Sequence, residues 1–79
     1  MKNTFRNEQD KLWELGVNVS NCRSVPHFDS LIQEINQVAV QWVSMNEKHQ
    51  LTDKETEFLV DEARDLRDLI LHAKARRMQ

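Results

Sequence analysis

The sequence has little of what builds turns, sheets or covalent cross-links. Its 79 residues include one glycine, one proline, one cysteine and no tyrosine. So few turn formers predict a small number of long elements, and the scarcity of strand-forming runs argues against a sheet. Because Cys22 is the only cysteine, an intrachain disulfide is excluded, which fits a reducing compartment.

Long apolar segments and a strong excess of charge are also missing. No stretch approaches the roughly 18–20 apolar residues of a membrane span, and the first residues lack the apolar core of a secretory signal. The 11 basic and 13 acidic side chains give a formal net charge of −2, which lacks the global positive field that non-specific nucleic-acid binding needs. We therefore expect a cytoplasmic protein with a single helical domain over residues 1–79.

What the sequence does contain is helical periodicity, which predicts an all-α fold. A short first helix is expected over residues 5–15, ended by Gly16 at a position typical of a helix-terminating glycine. The Asn- and Ser-rich residues 16–25 predict a loop that crosses back over the core. A second helix is expected over residues 26–49, because Pro26 suits a first helical turn and the apolar residues that follow recur in steps of three and four.

A third helix is expected over residues 53–77. Thr52 and Glu55 have the spacing of a capping box, in which each side chain accepts a hydrogen bond from the other residue's backbone N–H. The short connection at Leu51-Thr52 predicts that the second and third helices, which are similar in length, form a long antiparallel hairpin.

The third helix has a wider apolar arc than one neighbour can cover. At 100° per residue the arc spans roughly 200°, against the ~100° that one packing partner needs. Its members are Phe58, Leu59, Val60, Ala63, Leu66, Leu69, Ile70, Leu71, Ala73 and Met78. The excess predicts that the first helix packs on the hairpin and that the chain dimerises into a helical bundle or forms a higher oligomer, with the dimer favoured.

An acidic line runs along the polar face of the third helix. Asp61, Asp65, Asp68 and His72 are spaced i, i+4, i+7 and i+11. The line is typical of a solvated face, and it is also a candidate docking face for a basic partner protein. Metal sites in helical bundles draw ligands from several helices, so we expect neither a metal nor a cofactor here.

The C-terminal turns of the third helix are basic instead. Lys74, Arg76 and Arg77 follow the acidic line with no acid among them, an order that the helix dipole favours. As an alternative, these three side chains could bind the phosphates of a nucleic acid weakly and in a salt-sensitive way.

Two further residues are candidates for partner contact. No residue of the sequence is a candidate for catalysis. Trp13 lies on the short first helix with sparse apolar support, and Leu71 lies on the flank of the third helix. Trp42 lies in the apolar stripe of the second helix and is expected in the core. A Gly-rich phosphate loop and a nucleophile elbow are both missing, so we expect no enzymatic activity.

The predicted hairpin, with Leu51-Thr52 at its turn and a carboxylate-rich second arm, resembles the Spo0E-like aspartyl-phosphate phosphatases. The resemblance implies a short helical hairpin that dephosphorylates response regulators through an acidic residue in a Ser-Gln-Glu-Leu-Asp motif. The matching register here reads Val60-Asp61-Glu62-Ala63-Arg64, in which only Glu62 is kept and the final Asp is replaced by Arg64. Because most of the motif is lost, the phosphatase function is kept as an alternative only.

The sequence thus favours a small non-enzymatic module that binds another protein as an inhibitor, adaptor or regulator. Compact, charged helical chains of this kind are typical of phage or bacterial accessory proteins, which is an association and not a derivation from particular residues. The predicted partner-binding residues are Trp13, Asp61, Asp65, Asp68, Leu71 and His72. The alternatives are the phosphatase and a weak nucleic-acid-binding regulator.

Overall fold

The computed structural model describes residues 4–77, which form three α-helices and no strand. Helix α1 spans Thr4–Asn21, α2 spans Val25–Glu47 and α3 spans Asp53–Arg77. The described part of the chain measures 47 × 19 × 16 Å. The predicted all-α class is confirmed. None of these three helices is both long and apolar enough to cross a membrane.

The first helix is longer than predicted, and the loop expected over residues 16–25 is wrong. Residues 16–21 continue α1, and Gly16 has no positive φ, so it does not end the helix. The cause is packing: Leu15 and Cys22 are buried and Val19 is half-buried against the core, at steps of three and four. Burial of this stripe outweighs the weak helix propensity of the intervening Asn and Ser residues.

The connection between α1 and α2 is consequently very short. Ser24 has the extended backbone of an N-cap residue, with Pro26 in the first turn of α2. Its side chain makes no capping hydrogen bond; instead the Cys22 thiol donates to the Ser24 carbonyl over 3.8 Å. The chain therefore passes from α1 into α2 with its thiol turned inward.

Helix α2 ends in a complete Schellman motif. The N–H of His49 donates to the Asn46 carbonyl over 3.0 Å, and the N–H of Gln50 donates to the Met45 carbonyl over 2.8 Å. His49 has a φ of 62°, in the left-handed region that glycine normally occupies at this position. The helix thus stops by backbone geometry without a glycine.

Helix α3 begins at the predicted capping box. The Glu55 N–H donates to Thr52 Oγ1 over 3.1 Å, and the Thr52 N–H donates to Glu55 Oε1 over 2.9 Å. The Asn46 amide ties this start to the end of α2, because its Nδ2 donates to the Leu51 carbonyl and to Asp53 Oδ1.

Two contacts at opposite ends show that α2 and α3 run antiparallel. Asn46 contacts Asp53 beside the turn, while Lys74 Nζ lies 2.6 Å from Asp29 Oδ1 at the far end. Helix α1 runs parallel to α3: the rings of Phe5 and Phe58 pack edge to face near the start of both helices, with centroids 6.0 Å apart, and Gly16 lies against Leu66 further along both.

The three helices pack around one apolar core. Its most deeply buried large side chains are Ile35, Trp42, Leu59 and Ile70. Helix α1 covers part of the wide apolar arc of α3, including the half-buried Leu66, but not all of it. Phe58, Leu69 and Leu71 remain exposed. These three side chains are the part of the arc that α1 leaves uncovered.

Candidate functional site

A groove runs between α1 and α3 on one side of the bundle. Its first half is an open cavity of about 650 Å³ whose floor includes Leu12, Gly16 and Leu66, and whose walls carry Trp13 and Phe58. Gly16 keeps the floor low, because it has no side chain and its Cα hydrogen faces Leu66. The first half has both polar and apolar lining residues and is open to solvent.

The second half of the groove lies toward the C-terminal end of α3. This depression of about 600 Å³ shares Ser20 with the first half and is lined by Leu69, by Arg23 just after α1, and by Arg76 near the end of α3. Because Ser20 borders both halves, we describe them together as the α1–α3 groove.

The charges of the α1–α3 groove differ between its two halves. The first half carries the carboxylate of Glu62, and the second carries the guanidinium groups of Arg23 and Arg76. Leu69 lies seven residues, about two helical turns, from both Glu62 and Arg76 on the same face of α3. The groove is therefore acidic at one end and basic at the other, with an exposed leucine midway.

Trp13 is the largest apolar side chain left at the surface of the described residues. It is 71% exposed, whereas Trp42 is fully buried at 0%. The burial of Trp42 confirms the prediction that it belongs to the core. Trp13 stands beside Val17, which is also exposed, so the α1 wall of the groove presents two adjacent apolar side chains.

The acidic line of α3 lies outside the core, as its spacing indicated. Asp65, Asp68 and His72 are exposed, and Asp61 is half-buried, with its Oδ1 3.5 Å from the Arg64 guanidinium. Within residues 4–77 no group of three or more His, Cys, Asp or Glu side chains is placed to hold a metal ion. What the line offers is negative charge along one ridge.

The six predicted partner-binding residues do not form one patch. Asp65 lies only about 40° from Leu69 around α3, so the acidic line borders the α1–α3 groove on the side away from Trp13. Leu71 is exposed too, but it lies about 160° from Leu69 and points away from the groove. The structure thus groups Trp13 with the groove and sets Leu71 apart.

The basic end of α3 is less available to phosphates than its sequence suggested. Lys74 is in an ion pair with Asp29, which occupies one of the three expected cations. Arg76 is exposed, and the side chain of Arg77 lies outside the described residues. The ion pair with Asp29 therefore makes Lys74 less available to a phosphate than its sequence position suggested.

Sequence reasoning missed one buried polar contact. Glu8 is 5% exposed, accepts a hydrogen bond from the Trp42 indole Nε1 over 3.0 Å, and lies 3.2 Å from Lys11 Nζ. A glutamate at this position reads as solvated in a helical pattern, and no local signal connects it to a tryptophan 34 residues away. It fixes how α1 docks on α2 and thereby where the α1 wall of the groove stands.

Sequence reasoning placed Phe58 and Leu69 in the apolar stripe of α3 without separating them from its buried members. The structure places both at the surface, on the wall and at the middle of the α1–α3 groove. The useful signal was the width of the apolar arc, which predicted uncovered surface without saying which residues would form it.

Comparison of the chain with protein families, with curated proteins and with solved structures found no match.

Proposed function

We propose that this chain is a non-enzymatic protein-interaction module that acts by binding another protein, as an inhibitor, adaptor or regulator. The observation that supports this most is the amount of apolar surface that three helices leave uncovered. Trp13, Val17, Phe58 and Leu69 lie exposed along one groove. Tryptophan in a pocket rimmed by polar residues is typical of the residues that dominate the binding energy of protein interfaces.

The acidic line on α3 supplies the second element of the proposed interface. Asp61, Asp65 and Asp68 present carboxylates on a ridge that borders the groove, with His72 at its end. A ridge of one sign attracts a surface of the opposite sign and increases its rate of association. The proposed partner therefore has a basic surface, and its affinity for this chain falls as the salt concentration rises.

The test is affinity capture of the tagged chain from extract of its native host, with variants that change only exposed side chains. Asp65→Asn combined with Asp68→Asn removes two charges from the ridge, and Trp13→Ala removes the anchor. Asn18→Ala is the matched control, because Asn18 is exposed on the other side of α1. A genuine partner co-elutes with the wild type and the control, and is reduced with the ridge variant, with Trp13→Ala, or with both.

The same capture can contradict the proposal. If every co-eluting protein is retained equally by the wild type, the ridge variant and the Trp13→Ala variant, then neither surface binds a protein. Circular dichroism of each variant must show wild-type helicity, which is expected because the substituted side chains lie outside the core.

A further inference from the structure

The α1–α3 groove has a distribution of charge that fits one occupant in particular. Glu62 lies in the first half, Arg23 and Arg76 lie in the second, and Leu69 is exposed midway between Glu62 and Arg76. A partner that fills the whole groove must carry the same sequence of features in reverse order: basic, apolar, acidic. The face that carries that reverse order is this face itself, turned end for end.

We propose that the α1–α3 groove is covered by a second copy of this chain, docked antiparallel about a two-fold axis that passes beside Leu69. The proposal rests on the proposed function, since it takes the groove as a binding surface and names its occupant. A two-fold contact is isologous: the same surface is used by both copies, so each contact between two residues occurs twice, once in each direction. Leu69 then meets Leu69 of the second copy at the axis.

The charges select this orientation over the parallel one. In the antiparallel dimer Glu62 of each copy faces Arg76 of the other, because both residues lie two turns from the axis. In a parallel dimer Glu62 would face Glu62 and Arg76 would face Arg76, and like charges so close together repel.

Trp13 gains a specific role in this arrangement. Trp13 and Glu62 both line the first half of the groove, where the second copy brings the guanidinium group of Arg76. A guanidinium over an indole face gains a cation–π interaction while it also pairs with a nearby carboxylate. The exposed tryptophan would thus cover the arginine end of the neighbouring chain.

Leu71 and most of the acidic ridge stay outside this contact, and Asp65, about 40° from Leu69, lies at its edge. Leu71 lies about 160° from Leu69 around α3, and Asp61 and Asp68 lie on the outer side. In the dimer the ridge stays open to a partner protein, whereas Trp13 and the groove contact the second copy. The capture experiment then distinguishes the two proposals, because the ridge variant loses the other protein and Trp13→Ala loses the second copy.

The experiment is sedimentation equilibrium of the full chain at micromolar to ~100 µM concentration, the range in which weak dimers of small chains are measured. We expect the wild type to dimerise and Leu69→Glu to raise the dissociation constant by about tenfold or more, since it places two like charges at the axis. Leu71→Glu is the matched control: it makes the same change to an exposed leucine on the same helix, and the dissociation constant should stay within about twofold.

Charge reversal tests the pairing directly. Glu62→Arg alone and Arg76→Glu alone should each weaken dimerisation, because each variant puts like charges opposite one another. An equimolar mixture of the two variants should restore it, since in the mixed dimer every acidic side chain at these positions faces a basic one. Recovery in the mixture is an outcome that a general effect on stability cannot produce.

Three results would overturn the proposal. A wild type that is monomeric throughout the range has no second copy on the groove, and the groove is then left to a different protein. A dimer disrupted by Leu71→Glu but not by Leu69→Glu uses another face. A mixture that dimerises no better than its components excludes the Glu62–Arg76 pairing. None of these results decides whether the acidic ridge captures a partner, so the proposed function is judged separately.

Discussion

At the scale of single residues, the least expected feature is a carboxylate enclosed in an apolar core. Glu8 receives the indole N–H of Trp42, and both groups are shielded from water. A buried donor without an acceptor costs free energy, so the two residues satisfy each other. The contact also selects one rotational setting of α1, because only one face of that helix can bring an acceptor to the indole.

Replacement of Glu8 should therefore be costly in a way that depends on the acceptor. Glu8→Ala removes the oxygen and leaves the indole N–H unpaired, and we expect it to lower the free energy of unfolding by about 2–3 kcal/mol. Glu8→Gln keeps an amide oxygen and should cost about 1 kcal/mol or less. Urea denaturation followed by circular dichroism measures both. Equal losses for the two variants would show that the hydrogen bond contributes nothing.

Gly16 offers the opposite opportunity. It lies inside α1 with a negative φ, and a Cβ added there would meet only Leu66 Cδ2, at an ordinary contact distance of 4.0 Å. Gly16→Ala should raise the free energy of unfolding by about 0.5–1 kcal/mol, since alanine loses less backbone freedom on folding. A loss of stability in urea titration would mean that residue 16 is not helical in solution. Gly16→Pro, by contrast, should be strongly destabilising.

At the scale of elements, the turn between α2 and α3 places a non-glycine residue where glycine is usual. A left-handed backbone costs an L-residue roughly 1–2 kcal/mol, and glycine avoids this cost. About half of that gain is offset, because glycine has more conformational freedom to lose when the chain folds. His49→Gly should therefore raise the free energy of unfolding by about 0.5–1 kcal/mol. His49→Ala, which keeps the Cβ, serves as the control and should not stabilise; thermal unfolding ranks the three proteins.

How well each element could be predicted depended on where its information lies. The start of α3 is written locally, in the four residues from Thr52 to Glu55, and the hydrogen bonds form as expected. The end of α1 is not written locally. Gly16 and the Asn and Ser residues after it favour a loop, and only packing of Val19 and Cys22 against distant parts of the chain keeps the helix going.

The candidate site was less predictable than the fold for the same reason. Trp13 was recognisable because a tryptophan with few apolar neighbours is seldom fully buried. Phe58 and Leu69 could not be separated from the core residues of their stripe, since periodicity gives the direction of a side chain but not the reach of the neighbouring helix. The groove exists because α1 lies against one part of that stripe and leaves the rest open.

At the scale of the whole molecule, the two tryptophans report on different parts of the same unit. Trp42 is buried and joined to α1, whereas Trp13 is at the surface. In Trp13→Phe, fluorescence comes from Trp42 alone. We expect that emission to resist quenching by iodide and to change with urea in one transition that coincides with the loss of helix, as for a small two-state protein. A fluorescence change at lower urea would show that α1 detaches before α2 and α3 unfold.

The inward-facing thiol at the junction of α1 and α2 is a built-in probe of local opening. Cys22 is the chain's one sulfhydryl and is 5% exposed, so we expect a disulfide reagent to react with it mainly when this junction opens. Its labelling rate, divided by that of the denatured chain, gives the equilibrium constant of the opening event when closing is fast, and the logarithm of this constant gives the free energy of opening. If Gly16→Ala and Glu8→Ala shift that rate in opposite directions, the junction opens together with α1, and one chemical reaction on the unmodified sequence is enough to follow it.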